Sequence, residues 1–374
     1  MSIKCSSTFG RHLKVTIFGG SHEEEIGVTI TGLPIGQWID FDKMQELLNR
    51  RAPGNSIYAT SRKEPDLPLV RSGLIDGKTT KEPLTIIIKN TNIHSKDYES
   101  VCDVPRPGHG DYTAMVKYKG SVNISGGGPF SGRMTAPLCI AGAIALQILE
   151  KENIHIGAHI YAIGSIFDRG FSEGIEDLTQ LNDLKTRSFP VLDEEKGAEM
   201  GKYITEVRSQ GDSIGGIIEC VAIGVKPGIG GPMYDGLESI LSPIFFGIPA
   251  VKGVEFGTGF ASSARKGSEN NDAFYMDGNQ VKTRTNHHGG ILGGISSGMP
   301  IICRLGMKPT PSIAKEQDSV SLSRGENTKL SIVGRHDPCV VVRAVPVVEA
   351  AMALGILDTM LELGEEDVIR EHKN

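Results

Sequence analysis

Three stretches of this chain recur, in the same order, in its second half. IGVTITGLPIG, from Ile26, is echoed by GIIECVAIGVKPGIG, from Gly216. GLIDGKTTKEPLTIIIKNT, from Gly73, is echoed by GILGGISSGMPIICRLGMKPT, from Gly290. SGRMTAPLCIAGAIALQIL, from Ser131, is echoed by VGRHDPCVVVRAVPVVEAAMALGIL, from Val333. One echo can arise by chance, because strand-turn-strand patterns look alike. Three in matching order are explained by two copies of one unit related by a pseudo-twofold axis. The expectation is a single domain over residues 1–374, with copies at about 10–155 and 211–365. Arg133 and Arg335 would then stand at the starts of equivalent helices, both facing one central site. Residues 160–210 separate the copies as a charged, exposed and partly helical excursion in which no chemistry is evident.

Within the first copy, apolar and polar residues alternate over 13–32 around GGSHEEEIG, which gives a strand, a loop and a strand. DFDKMQELLNRR, from Asp40, has helical spacing with an acidic first turn and a basic end. Asp76-Gly77 closes a hairpin inside residues 69–91, and from Ser131 a glycine-rich entry leads into a long, largely buried helix. The net charge of −6 supplies no basic field for nucleic acid and no polybasic membrane patch. Arg50, Arg51, Arg106, Arg133 and Arg335 nevertheless gather beside glycine and proline signals, as suits a focal pocket for a small polyanion. The six cysteines are dispersed, with neither a CxxC pair nor metal-ligand spacing, so no metal is expected. With no signal peptide and no apolar run long enough to span a bilayer, the expected setting is a reducing cytoplasm.

Several short segments carry chemistry. In VPRPGHGDY, Val104 to Tyr112, proline fixes φ and glycine permits close backbone approach, so a shaped loop holds Arg106 and His109. A merely solvated loop has no need of two prolines and two glycines around one histidine. FGGSHEEEIG sets Ser21 and His22 between strands. Adjacent residues rarely aim at one another, so these are not nucleophile and base; taken alone, His22 reads as a surface histidine among Glu23, Glu24 and Glu25. Arg50 and Arg51 end a helix, where complementing the macrodipole is reason enough for Arg50. GGGPFSGR, from Gly126, has neither the P-loop ending nor GxGxxG spacing, yet it can present amides to an anion ahead of a helix. KPTPSI, from Lys308, combines a cation, two hydroxyls and rigid turns, which fits a phosphate site and an ordinary loop equally. GRHDPC, from Gly334, sets a cation, an imidazole and a carboxylate at a helix entry, with Asp337 near the N-cap and Pro338 at the first helical position.

Taken together, FGGSH, NRRAPG, RPGHGDYT, GGGPFSGR, NHHGGILGGISSGMP, KPTPSI and GRHDPCVVVRAVPVVEA resemble the chorismate synthase family, in order, over nearly the whole chain and least over 160–210. The resemblance implies an α+β fold, a β-α-β sandwich with a helical layer between antiparallel sheets and an internal pseudo-twofold repeat, usually as a homotetramer. It implies the last step of the shikimate pathway: 5-enolpyruvylshikimate 3-phosphate loses phosphate and a ring proton in a 1,4-anti elimination, giving chorismate. Reduced FMN is required without net redox change. Carried over motif by motif, the substrate positions are Ser21, Arg51, Arg106, Gly132, Arg133 and Arg335, with arginine forks suited to a phosphate and two carboxylates. His22 is implied as the acid that helps phosphate leave, His109 as the group managing the flavin's proton balance, and Asp337 as an aid to ring-proton removal. The FMN positions are Pro129, Phe130, Ser131, Ala250, Gly293, Lys308, Pro309, Thr310, Pro311, Ser312 and Arg335.

The chain departs from the family pattern in places. It reads GGSHE where GESHG is common, Ile57 and Ile124-Ser125 stand where arginines are common, and Pro129 replaces a frequent arginine or histidine. The alternative these changes raise is a non-catalytic relative that binds flavin or phosphorylated shikimates; retention of His22, His109, Asp337 and the clamp arginines argues against it. A phosphate-binding protein of unrelated fold is disfavoured by the seven ordered motifs. No nicotinamide fingerprint is present, but some family members reduce their own flavin with NADPH without one, so both sources of reduced FMN stay open.

Overall fold

Strands rich in β-branched residues build two five-stranded antiparallel sheets, and the two longest helices lie between them. The computed structural model describes residues 6–54, 58, 64–91, 103–171, 178–332 and 337–363. The first half contributes β1 (Ser6–Phe9), β2 (Lys14–Gly19), β3 (Glu25–Thr31), α1 (Phe41–Arg51) and β4 (Leu69–Ser72). There follow β5 (Leu74–Ile75), β6 (Lys78–Thr79), β7 (Leu84–Lys89), α2 (Asp111–Tyr118) and α3 (Thr135–Lys151). Next come β8 (His155–Ile163), β9 (Ile166–Phe167), α4 (Leu178–Thr186), α5 (Glu194–Ser209), β10 (Gly216–Ile223), α6 (Leu237–Gly247) and β11 (Val251–Phe256). A four-residue helix, α7 (Gly267–Asn270), precedes the hairpin of β12 (Phe274–Asp277) and β13 (Gln280–Thr283). The chain then forms β14 (Ile291–Leu292), β15 (Ile295–Ser296), β16 (Ile301–Met307), β17 (Gln317–Ser321), β18 (Glu326–Leu330) and α8 (Val341–Met360).

The sheet orders are β1-β2-β3-β7-β4 and β9-β8-β10-β16-β11. Matching β2-β3-β7-β4 to β8-β10-β16-β11 also matches α1 with α6 and α3 with α8. The correspondence reaches single hydrogen bonds. The Thr79 hydroxyl accepts from the Gln37 amide at 2.8 Å and donates to the Pro34 carbonyl at 2.6 Å. The Ser296 hydroxyl accepts from the Ile229 amide at 2.9 Å and donates to the Lys226 carbonyl at 2.6 Å. The second unit, however, takes its first strand from β8, so it begins at about residue 155 rather than 211. The excursion is therefore an insertion between the first two strands of that unit, the position held in the first unit by the short loop carrying Ser21 and His22.

Ile26, Val28, Ile30, Leu84, Ile86 and Ile88 point inward from the first sheet, and Ile218, Cys220, Ala222, Ile301, Cys303 and Leu305 from the second, all in one core. Burying each large apolar side chain stabilises the fold by about 1.5–3 kcal/mol. α3 lies against β2, β3 and β7, α8 lies against β8 and β10, and the two helices pack on each other. At their closest approach a Cβ on Gly142 would fall 2.2 Å from that of Ala350, so no larger residue fits. The stretch Gly132–Lys151 is long and apolar enough to cross a membrane, but 78% of it is buried in the protein, as a core helix should be.

α1 starts where the Asp40 side chain accepts the Asp42 and Lys43 amides. At its other end Arg50 does more than complement the macrodipole: its fork grips the buried Glu349 carboxylate at 2.6 and 2.9 Å, and Glu349 also accepts the Ala158 amide at 3.1 Å. One ion pair thus ties α1, α8 and β8 together. Asp76 and Gly77 both have positive φ, +49° and +75°, as the two-residue turn between β5 and β6 requires.

Candidate active site

A cleft of about 340 Å³ opens where the loops of both units meet above the helical layer. Ser21, His22, Arg106, His109, Phe130, Ser131, Gly132, Arg133, Ala250, Lys308, Thr310, Pro311, Ser312 and Asp337 line it, joined by Pro53, Glu64, Gly110, Gly126, Pro249, Val340 and Arg343. Of the residues expected at the site, Arg51, Pro129, Gly293 and Pro309 are absent from this lining, and Arg335 lies outside the described residues, as does Ile57, the departure at a common arginine position. Gly293 sits at the tip of the β14–β15 hairpin.

The glycine run lets two imidazoles lie against backbone. Gly126, Gly127 and Gly128 have φ of +60°, +97° and +49°. A Cβ on Gly126 would stand 1.9 Å from the His22 ring, and one on Gly127 would stand 3.3 Å from His109 Nε2. The expected amide cradle is largely consumed within the loop. The Gly127 amide donates to Ile124, that of Ser131 to Gly128, and those of Ser125 and Arg133 to the side chains of Asn123 and Ser131. Ser21 and His22 do touch, contrary to the expectation for neighbours: Oγ and Nδ1 are 3.0 Å apart.

Three arginines take roles that spacing alone does not reveal. Arg51 is 1% exposed beneath the cleft, bonding Asp66 at 2.8 Å and Thr135 Oγ1 at 3.3 Å. Burial pushes its pKa down against the pull of Asp66, and Arg343 and Arg133 deepen the depression. Arg51 therefore supports the floor and does not present its fork to a ligand. Arg106 reaches the cleft, but Nε and Nη2 bond Asp111 at 2.7 Å each and Nη1 bonds Ser312 Oγ at 3.2 Å. Arg133 is tied through Nε to Asn90 Oδ1 at 3.0 Å and through Nη1 to Glu64 at 2.9 Å and to Asp66. Asn90 in turn holds the Gly20 and Glu23 carbonyls, so the Ser21-His22 loop and Arg133 share one bracket.

Asp337 does not cap α8, whose N-cap is Val340. Its carboxylate accepts from Arg343 Nη1 at 2.6 Å, while Arg343 Nε donates to the Arg51 carbonyl at 3.1 Å. Arg343 was the missed cation. The signal was present in VVVRAVPVV, since a lone charge in a buried helix needs a partner. Among the described residues, neither Arg133 nor Arg343 has a hydrogen bond on Nη2, so each keeps an arm for a ligand. Lys308 donates to the Gly108 carbonyl, and burial followed by Lys252 lowers its pKa. Thr310 Oγ1 is buried with no hydrogen-bond partner among the described residues.

Two imidazoles, a held carboxylate and forks with unused donors share this cleft, and these are the residue types that proton transfer on a small polyanion calls for. The comparisons are specific. The family model for chorismate synthase matches residues 13–361. A chorismate synthase of Lancefieldella parvula is 46% identical over 366 residues, covering 95% of this chain and 96% of the relative. One from Pyrococcus abyssi is 44% identical, covering 94% and 97%. A crystal structure of chorismate synthase matches with a TM-score of 0.77 at 25% identity, covering 97% of each chain. The chain belongs to the chorismate synthase family, and its activity is that of a lyase in aromatic amino-acid biosynthesis.

Proposed function

We propose that this cleft binds reduced FMN beside 5-enolpyruvylshikimate 3-phosphate and eliminates phosphate to give chorismate. What supports the reading is convergence: acid, base and anion-binding residue types from both units line a single cleft. The residues suit a phosphorylated flavin. Thr310 offers a buried hydroxyl without a partner among the described residues, Lys308 a cation, and Phe130, 40% exposed, an aromatic face. Pro311, Ser312, Ser131 and Ala250 complete the proposed cofactor wall.

Reduced FMN, when bound, would lend electron density to the breaking carbon–oxygen bond and recover it as the ring proton leaves, so that no net redox change remains. The chain's residues do the rest. Arg133 and Arg343 hold the substrate's anionic groups through their remaining donors, in the fork geometry that carboxylates and phosphates accept. His22, fixed through Nδ1 by Ser21, delivers a proton from its other nitrogen to the departing phosphate. Asp337, held in place by Arg343, assists removal of the ring proton. His109 balances the protons of the cofactor. The reading extends to a cytoplasmic homotetramer, the compartment and assembly implied by the family.

The test is anaerobic assay with chemically reduced FMN, following phosphate and chorismate together. Many turnovers per flavin are expected. Flavin binding without product, or one reduced flavin consumed per chorismate, would overturn the reading.

A further inference from the structure

Asp111 is 1% exposed at the first position of α2, and its carboxylate is held by Arg106 and faces His109. Oδ2 accepts the Arg106 amide at 3.1 Å and Nε at 2.7 Å. Oδ1 accepts Arg106 Nη2 at 2.7 Å and faces His109 Nδ1 at 2.6 Å. Burial works against its charge, but the hydrogen bonds from Arg106 and His109 hold this carboxyl well below the usual carboxylate range. An ionised carboxylate only accepts. An unprotonated Nδ1 would therefore set two lone pairs 2.6 Å apart, so Nδ1 must carry the proton. Arg106 Nη2 also stands 3.1 Å from Nδ1 and 3.4 Å from Nε2, but the far shorter 2.6 Å contact with an accept-only carboxylate oxygen decides where the proton sits.

We infer that Asp111 is a positioning residue that locks His109 in the Nδ1–H form, so that every proton His109 exchanges passes through Nε2, on the side of Gly127. Arg106 is the anchor of this lock, which explains why its fork is turned away from ligands. The inference rests on the proposed role of His109, but its test needs neither flavin nor substrate.

The experiment is ¹⁵N NMR of the histidine rings in the ligand-free full chain, with the His109 signal identified by its loss in His109→Gln. The neutral ring should show hydrogen on Nδ1. In Asp111→Asn, Arg106 claims the amide oxygen in place of Oδ2, and the NH₂ group turns to His109. Nδ1 then becomes an acceptor and the hydrogen moves to Nε2. In that variant kcat should fall on the order of 10²-fold with KM little changed. A native ring protonated on Nε2 would overturn the inference, as would an Asp111→Asn ring that keeps the native tautomer. If Asp111→Asn does not fold, the native spectrum alone decides. Failure of the flavin reading would show instead as absent FMN-dependent turnover with the tautomer intact.

Discussion

The two units share a strand order but treat the gap between their first two strands in opposite ways. In the first unit residues 20–24 turn directly from β2 to β3 and put Ser21 and His22 in the cleft. In the second, residues 164–171 and 178–215 lie between β8 and β10, and α4 packs on the outer face of their sheet. Phe171, Leu181 and Leu184 pack there on Val221, Ile223 and Ile302. The outer face of the first sheet keeps threonine rows instead, with Thr8 against Thr16 at 2.9 Å and Thr29 against Thr85 at 3.0 Å. Under the excursion runs an ionic row, buried at His159 and Glu219 and half-buried at Arg304, direct neighbours across β8, β10 and β16. His159 Nε2 meets Glu219 at 3.0 Å, its Nδ1 meets Asp168 at 3.2 Å, and Arg304 Nε meets Glu219 at 2.8 Å. One gap became chemistry and the other became structure.

That contrast can be broken from either side. Removing chemistry from the cleft should give the largest effect. His22→Ala and His109→Ala should each lower kcat by roughly 10²–10⁴-fold, the range for positioned acid–base groups, with FMN and substrate binding and the urea midpoint retained. Unchanged turnover in either variant removes that histidine from the mechanism. Glu219→Ala should do the reverse. It leaves the buried His159 with one carboxylate lost and the half-buried Arg304 without its nearest one, which costs roughly 3–5 kcal/mol, while kcat per folded molecule stays at the native value. Thr29→Val on the other sheet is the control and should cost less than about 1 kcal/mol. Equal losses for the two would show that the excursion does not dry its face.

The ionic row also sharpens the comparison through pH. Burial opposes charge on His159, but hydrogen bonds to Asp168 and Glu219 raise its pKa above the ordinary 6.5. Its contribution to stability is therefore whole below pH 6.5 and is lost as pH rises through the higher folded-state value. Burial likewise opposes charge on Asp168, yet its bonds from His159 and the Leu192 amide lower its pKa below 3.8, so that contribution disappears as pH falls below 3.8. Thermal unfolding should show a plateau between these limits with a decline above pH 6.5 that His159→Gln lacks. Parallel native and variant curves would contradict this.

Much of the architecture was legible because it is periodic. The strands around GGSHEEEIG, the helix from Asp40, the Asp76-Gly77 turn and the order of the echoes all follow from local pattern. The second unit's first strand was obscured because β8 is buried on both faces, so IHIGAHIYAI lacks the clean alternation of an exposed sheet. At the site, residue types were legible and partners were not. That Arg51 and Arg133 share Asp66 depends on segments brought together only by the fold, whereas Asp111 answers Arg106 within one loop whose shape the residue types alone do not give. Leu181 and Leu184 stand one helical turn apart within a charged helix, too weak a stripe to announce that it covers a sheet.

The smallest predicted effect concerns the departure beside His22. Ser21 and His22 line the cleft and Glu23 does not. Its amide donates to the Gly20 carbonyl at 3.1 Å, and its side chain folds over Gly20, where an added Cβ would meet Glu23 Cγ and Oε1 at 3.5 Å. A carboxylate thus reaches the space above residue 20 from residue 23, whereas in GESHG it would start from residue 20 itself. The bonds that shape this loop, from Asn90 to the Gly20 and Glu23 carbonyls, are to main chain and survive any change of side chain. Glu23→Gly should therefore leave KM and both limbs of the pH–rate profile where they are, at a stability cost of about 0.4–1 kcal/mol from added backbone freedom. The double exchange Gly20→Glu with Glu23→Gly should be equally silent in kinetics. A fall in KM for Glu23→Gly, with the basic limb drawn to lower pH, would mean that the Glu23 charge acts on His22 and the substrate from within the cleft.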